Sequence, residues 1–81
     1  MQVNVHFYSY LRDLTRCAQV AEDLPVGSTL AELRARLDRR FPPLAGWGGA
    51  TLWAVGLEYQ AADYALREGD EVSLFPPVQG G

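Results

Sequence analysis

The chain has 81 residues, of which 48% are hydrophobic, and a formal net charge of −3. This composition predicts one globular domain with room for a core but little room for a deep catalytic cleft as well. The acidic balance argues against a nucleic-acid partner, and no stretch approaches the length that spans a membrane. These properties favour a binding or carrier module over an independent enzyme.

The reactive side chains are few. All seven basic residues are Arg, so no Lys side chain can form a Schiff base or accept an isopeptide bond. Cys17 is the single cysteine and cannot form an internal disulfide, which fits a reducing compartment. The N-terminus does not resemble a secretory signal. We expect a cytoplasmic protein in which Cys17 is a half-buried structural thiol rather than a nucleophile, and we predict no metal site.

The first half of the chain predicts two strands. Residues 2–10 alternate with period two, which is typical of a half-buried strand. One face would carry Val3, Val5 and Phe7, and the other Asn4, His6 and Tyr8. The run LRDLTR predicts a helical turn, and a second strand is expected around Gln19–Leu24 before a break at residues 25–27.

The main helix is predicted by local spacing. Thr29 and Glu32 have the spacing of a capping box. The apolar stripe behind them comprises Leu30, Leu33, Leu37 and Phe41. Pro42–Pro43 should stop the helix, and the glycine-rich run LAGWGGA should form a loop.

The second half predicts the rest of a mixed sheet. A strand is expected over residues 51–55, a short one at Glu58–Gln60 and a final one at Val72–Phe75, preceded by a turn at Gly69. The order β-β-α-β-(β)-β predicts an α+β fold of the β-grasp, or ubiquitin-like, type. Its mixed sheet would have four to five strands, with one main helix packed across it. We expect a β-grasp domain over residues 1–75 and an extended tail over residues 76–81.

The tail has a distinctive composition. Pro76 and Pro77 have no N–H groups and end the hydrogen-bond ladder of the last strand, and the arm from Pro77 to Gly81 reaches at most about 15 Å. Gly80 and Gly81 lack Cβ atoms, so a narrow channel can close on their backbone. The reactive group would be the α-carboxylate of Gly81, which must be activated before it can react. Because nothing in this chain resembles an ATP site, another enzyme would adenylate it.

Residues 66–81, LREGDEVSLFPPVQGG, closely resemble the C-terminus of the MoaD-type small subunit of molybdopterin synthase, a ubiquitin-like sulfur carrier. The resemblance extends to the opening strand with Phe7, the helix TLAELRARL and the segment AVGLEY. Many members of that family carry Asn where this chain has Gly56, and both residues tolerate positive φ. No family motif matches Trp47 or Trp53.

The resemblance implies a sulfur-carrier mechanism. A ubiquitin-activating-like adenylyltransferase uses ATP and Mg to adenylate Gly81, and a sulfurtransferase supplies the sulfur that makes a thiocarboxylate. The carrier then docks on the large catalytic subunit and donates sulfur to cyclic pyranopterin monophosphate, in a two-plus-two heterotetramer. The resemblance implies no cofactor bound by this chain itself. The tail residues expected to thread into the partner are Pro76, Pro77, Val78, Gln79 and Gly80.

Four residues are expected at the partner interface. They are Phe7, Asp70, Glu71 and Phe75. If Val72 and Leu74 face the helix, Phe75 faces outward beside the prolines, unless the strand bends and tucks it under the helix. Asp70 and Glu71 could meet arginines of a partner, although the favoured interpretation is that they are solvated turn charges. Trp47 could anchor a partner or cover the core.

Three alternative functions remain at this point. A sulfur carrier of thiamine thiazole synthesis would share the fold and the Gly-Gly end. A ubiquitin-like protein modifier could use the same terminus. A β-grasp interaction module would carry an inert tail. The FPPV arm and the chain length favour the molybdopterin carrier.

Overall fold

Within residues 1–46 and 51–76, which a computed structural model describes, five strands form one mixed sheet. The strands are β1 (Gln2–Phe7), β2 (Gln19–Asp23), β3 (Leu52–Val55), β4 (Glu58–Tyr59) and β5 (Glu71–Phe75). The helices are α1 (Tyr10–Thr15), α2 (Leu30–Arg40) and α3 (Pro42–Ala45).

The strand order in the sheet is β2-β1-β5-β3-β4. β1 and β5 are parallel neighbours at the centre, with Val5 opposite Val72. The other pairs, β1 with β2, β3 with β5 and β3 with β4, are antiparallel. In the β-grasp arrangement, the first and last strands form a central parallel pair and a helix crosses the sheet. This chain has that arrangement, so the predicted fold is confirmed.

α2 packs across the inner face of the sheet as its spacing predicts. The Thr29 hydroxyl accepts a hydrogen bond from the Glu32 N–H, and the Glu32 carboxylate accepts one from the Thr29 N–H, both at 3.3 Å. Together these two bonds form the predicted capping box. The stripe residues Leu30, Leu33 and Leu37 have no exposed surface. The local sequence therefore correctly predicted both the start and the buried face of this helix.

The end of α2 differs in one respect from the prediction. The helix ends before Pro42 as expected, but Pro42–Ala45 then form the short helix α3. Proline fits the first turn of a helix because its missing N–H has no partner there. Leu44, predicted in a loop, is fully buried by this turn. Residues 47–50 of the predicted glycine-rich loop lie outside the described residues.

The first strand is shorter than predicted. It ends at Phe7, and the chain turns at Ser9, where φ is 57°. α1 then begins at Tyr10 and buries Leu11 and Thr15. The alternation that includes Tyr8 and Tyr10 predicted a longer strand. The buried residues of this segment, Leu11 and Thr15, are four positions apart, which is helical spacing.

The core lies between the sheet and α2. The core side chains with at most 2% exposure are Val3, Val5, Phe7, Leu11, Leu30, Leu33, Leu37, Leu44, Val72 and Leu74. Phe41 covers one end of this core, where its ring meets the Phe7 ring edge-on with centroids 5.7 Å apart. Across the two described ranges, none of the helices has the length and apolar character needed to cross a bilayer.

Candidate docking surface at the tail exit

β5, the strand that precedes the predicted tail, lies at the centre of the sheet. β5 ends at Phe75, and Pro76 is the last described residue before the predicted arm. Because β5 is held by β1 on one side and β3 on the other, the direction in which the chain leaves is set by two strands. Residues 77–81, which include Val78, Gln79 and Gly80, lie outside the described residues, and so does the Gly81 carboxylate. Their threading and chemistry stay predictions.

Side-chain alternation in β5 is confirmed. Val72 and Leu74 face the helix and have no exposed surface. Phe75 stays half-buried on the opposite, outer face of the sheet, so the strand does not tuck it under α2. The base of the tail therefore carries an outward aromatic ring.

Phe75 belongs to an apolar surface that we call the outer-face patch, formed by Tyr8, Leu52, Tyr59 and Phe75. The Tyr8 ring stacks on Phe75, with centroids 4.7 Å apart. Tyr59 meets Phe75 edge-on, with a centroid distance of 6.3 Å. Leu52 lies opposite Phe75 in the β3–β5 register. Tyr8 is 40% exposed and Tyr59 69% exposed, and clustered exposed aromatic side chains are typical of a protein-binding surface.

A polar cluster lies next to this patch on the same face. The Glu71 carboxylate accepts a hydrogen bond from the Asn4 side-chain amide and contacts His6 Nε2, each at 2.8 Å. The Asn4 hydrogen bond, followed by the interaction with His6, lowers the pKa of Glu71 below its ordinary value. Glu71 is exposed and already has two partners within the sheet. A partner contact by Glu71 stays a prediction.

Asp70 has a structural role that favours the turn interpretation. Its carboxylate accepts the Arg67 backbone N–H at 2.8 Å, and its carbonyl accepts the Asn4 N–H at 3.0 Å. Gly69, at φ 81°, completes the turn as its sequence position predicts. These bonds join the turn to the start of β1. A contact between Asp70 and a partner stays a prediction.

Phe7, which was expected at the partner interface, lies in the core of the free chain. Phe7 is only 2% exposed and packs in the core against Phe41. Side-chain alternation along β1 had already grouped it with the buried Val3 and Val5. Its neighbour Tyr8 is the exposed aromatic residue at the end of this strand, and the same alternation placed Tyr8 on the outer face.

Tyr59 was not identified from the sequence. Tyr59 of β4 pairs with Ala54 of β3, and β3 in turn pairs with β5, the strand that carries Phe75. Tyr59 therefore lies near Phe75 only because the three strands β5, β3 and β4 are neighbours in this order. No local pattern in the chain encodes it.

The residues without a predicted role have local contacts. Cys17 is half-buried, and its thiol donates to the Thr15 carbonyl at 3.4 Å, as expected of a structural thiol. Trp53 packs against the core, with the Arg34 guanidinium 6.0 Å from its ring centroid. Trp47 lies outside the described residues. In the part of the chain that the structure describes, no three His, Cys, Asp or Glu side chains are grouped to hold a metal ion.

Comparison with known proteins points to one group. Residues 5–81 match the model of the ThiS family. The chain is 37% identical over 81 residues to the molybdopterin synthase sulfur carrier subunit of Escherichia coli strain K12, and the alignment covers 98% of this chain and 99% of that protein. Arabidopsis thaliana has a protein of the same name that is 26% identical over 81 residues, covering 100% of this chain and 84% of that protein.

Solved structures agree on the fold. A chain from the protein–protein complex of subunits 1 and 2 of the molybdopterin-converting factor of Helicobacter pylori 26695 is 29% identical, with a TM-score of 0.72 and full coverage of both chains. SAMP1 from Haloferax volcanii gives a TM-score of 0.88 at 24% identity, also over the whole of both chains. At 24% identity, the similarity to SAMP1 shows that the fold is shared and nothing about function.

Proposed function

The chain belongs to the ThiS family, and from this premise we propose that it is the sulfur carrier subunit of a molybdopterin synthase. The observation that carries the proposal is the 37% identity to the carrier of Escherichia coli over almost the full length of both proteins. The family match also extends to Gly81, the residue to which the proposed chemistry assigns the sulfur.

In the proposed reaction the α-carboxylate of Gly81 is the functional group. A carboxylate is a poor electrophile, so an adenylyltransferase joins one of its oxygens to the α-phosphorus of ATP and releases pyrophosphate, with Mg bound by that enzyme. A sulfurtransferase then supplies sulfur at the oxidation level of sulfide, which bonds to the Gly81 carbonyl carbon as the C–O bond to AMP breaks, so AMP leaves and a thiocarboxylate remains. The large subunit would use that sulfur on cyclic pyranopterin monophosphate. We place this reaction in the cytoplasm, because a single cysteine that forms no internal disulfide fits a reducing compartment.

The outer-face patch is the proposed docking surface for the large subunit. It includes Phe75, the last residue of β5 before the tail, so a protein that binds there would also receive the Gly-Gly end. Tyr8 and Tyr59 supply exposed aromatic area, and aromatic anchors dominate the energetics of many interfaces. A partner on this patch would bury Phe75 while the arm from Pro76 onward enters its active site. A heterotetramer of two such pairs stays a prediction.

The main alternative is a sulfur carrier for thiazole synthesis. The ThiS family match does not separate the two pathways, whereas the curated relatives are named for molybdopterin synthase. The structural likeness to an archaeal modifier is at 24% identity and does not favour conjugation to proteins. The molybdopterin pathway is therefore the proposal.

Rescue of two deletion strains separates the pathways. In a bacterium that lacks its molybdopterin synthase small subunit, this chain should restore molybdopterin formation when expressed with its matching large subunit. In a strain that lacks the thiazole carrier, it should not restore growth without thiamine. The variant that lacks Gly81 is the control, and it should fail in both strains. Rescue of thiazole synthesis alone would overturn the molybdopterin assignment.

A further inference from the structure

A groove of about 450 Å³ opens beside the outer-face patch, between α2 and the β3–β4 edge of the sheet. Leu30 and Ala31 form its helix side. Trp53, Tyr59 and Ala62 form most of the opposite side. Its lining is predominantly apolar, as in most pockets that bind apolar groups.

The one cation among the described residues that line the groove is already bound. Arg34 Nε donates to the Asp38 carboxylate at 2.9 Å, and Nη1 donates to the Thr51 hydroxyl at 2.6 Å. Nη2 donates to the Leu44 carbonyl at 3.4 Å, and the guanidinium faces the Trp53 ring at 6.0 Å. These contacts hold Arg34 as part of the wall. The groove therefore suits an apolar group better than an anion.

The groove continues from the outer-face patch. Leu52 and Tyr59 belong to both surfaces. Tyr59 lies on the two-residue edge strand β4, so one side of its ring contacts Phe75 while the residue also borders the groove. An apolar surface thus runs from Tyr8 across Phe75 and around the sheet edge. A protein seated on the patch therefore contacts two residues that also line the groove.

We infer that the groove receives an apolar side chain of the large subunit when that subunit docks on the outer-face patch. This inference rests on the proposed function. The large subunit would then contact the groove as well as the tail and the patch, and α2 would be part of the interface. Two separated apolar contacts would fix the rotation of the carrier about its tail, so that the tail enters the partner in one orientation.

Two alanines of α2 provide a matched test. Ala31 lines the groove, whereas Ala35, one turn later and also exposed, does not. Ala31→Trp fills the groove, and Ala35→Trp places the same side chain outside it. With the large subunit titrated against each carrier, Ala31→Trp should weaken binding by roughly tenfold or more. Ala35→Trp should bind within about twofold of wild type, as an exposed site away from contacts does.

Thermal unfolding of each free carrier controls for folding. If Ala31→Trp fails to fold, Ala62→Phe enters the groove from the opposite side, and the same loss of affinity is expected. Equal affinity of wild type, Ala31→Trp and Ala35→Trp would overturn the inference and leave the proposed function intact. Failure of the wild-type carrier to bind the large subunit would contradict the proposed function itself.

The other possible occupants give different results. A groove occupied by a second copy would make the wild-type carrier dimerise in analytical ultracentrifugation, with the dimer lost in Ala31→Trp. A groove filled by the carrier's own chain would make both Ala31→Trp and Ala62→Phe strongly destabilising in the absence of any partner, while Ala35→Trp was not. Either result would overturn the assignment to the large subunit.

Discussion

The rings of Tyr8 and Phe75 stack with their centroids 4.7 Å apart and their planes 13° from parallel. They stand side by side because β1 and β5 are parallel neighbours, and the Tyr8 N–H donates to the Leu74 carbonyl at 3.2 Å. The stack holds the exposed Tyr8 and the half-buried Phe75 in one arrangement before any partner arrives. Such preorganisation lowers the entropic cost of binding.

Phe75→Ala should therefore affect binding more than folding. The substitution removes the centre of the outer-face patch, and we expect affinity for the large subunit to fall by roughly tenfold or more. The stacking that it removes contributes only about 0.5–1.5 kcal/mol to folding beyond its burial. Titration calorimetry and urea unfolding measure the two effects on the same protein.

Leu74→Ala is the matched control for Phe75. Leu74 is the preceding residue and is fully buried, so its truncation should cost about 2–5 kcal/mol of unfolding free energy. Under conditions where Leu74→Ala remains folded, its affinity for the partner should stay close to that of wild type. A larger effect of Phe75→Ala on unfolding than on affinity would contradict the docking role of the patch.

The Asn4–Glu71 hydrogen bond predicts a pH dependence of stability. The folded state lowers the pKa of Glu71 below its ordinary value near 4.5. The stabilisation is therefore present above that value and is lost as the pH falls through the lowered folded-state pKa. Asn4→Ala removes the largest cause, so an NMR titration should find the Glu71 pKa closer to its ordinary value.

Gln2→Ala provides the comparison for Asn4→Ala. Gln2 lies two residues away on the same exposed face of β1, and the two side chains that contact the Glu71 carboxylate are those of Asn4 and His6. The Glu71 titration should be unchanged in this variant. An equal shift in both variants would mean that the strand, and not the Asn4 amide, determines the ionisation of Glu71.

Gly56 tests the departure from the family pattern. Its φ is 62°, and a Cβ built there meets no atom within 4 Å, so any cost of substitution comes from the backbone conformation alone. Gly56→Ala should lose about 1 kcal/mol of unfolding free energy. Gly56→Asn should lose less, because Asn adopts this conformation more readily. Equal losses in urea unfolding would show that the turn does not impose this conformation on a side chain.

Local patterns predicted most of the fold. The capping box at Thr29 and the stripe at Leu30, Leu33 and Leu37 were correct because helix starts and faces depend on residues within a few positions. The helix at Pro42–Ala45 was missed because its evidence is the burial of Leu44, a tertiary contact. Prolines stop one helix and can begin the next, and the sequence pattern alone does not distinguish these outcomes.

The candidate site was only partly predictable. Alternation in β5 correctly placed Phe75 outside, and alternation in β1 correctly placed Phe7 inside, although Phe7 was also expected at the interface. Tyr59 could not be found, since its position beside Phe75 follows from the register of β4, β3 and β5. Pairing between distant segments is set by the whole sheet and leaves no short motif.

Intact-mass analysis of the carrier tests the central claim most directly. The carrier is incubated with ATP, Mg, the adenylyltransferase and a sulfur donor, and fragment ions then locate any change along the chain. The proposal predicts that one oxygen is replaced by one sulfur at Gly81, and that neither a carrier lacking Gly81 nor one with a residue appended after it transfers sulfur. An unchanged Gly81 in the wild type, or undiminished sulfur transfer by both altered carriers, would contradict the proposal.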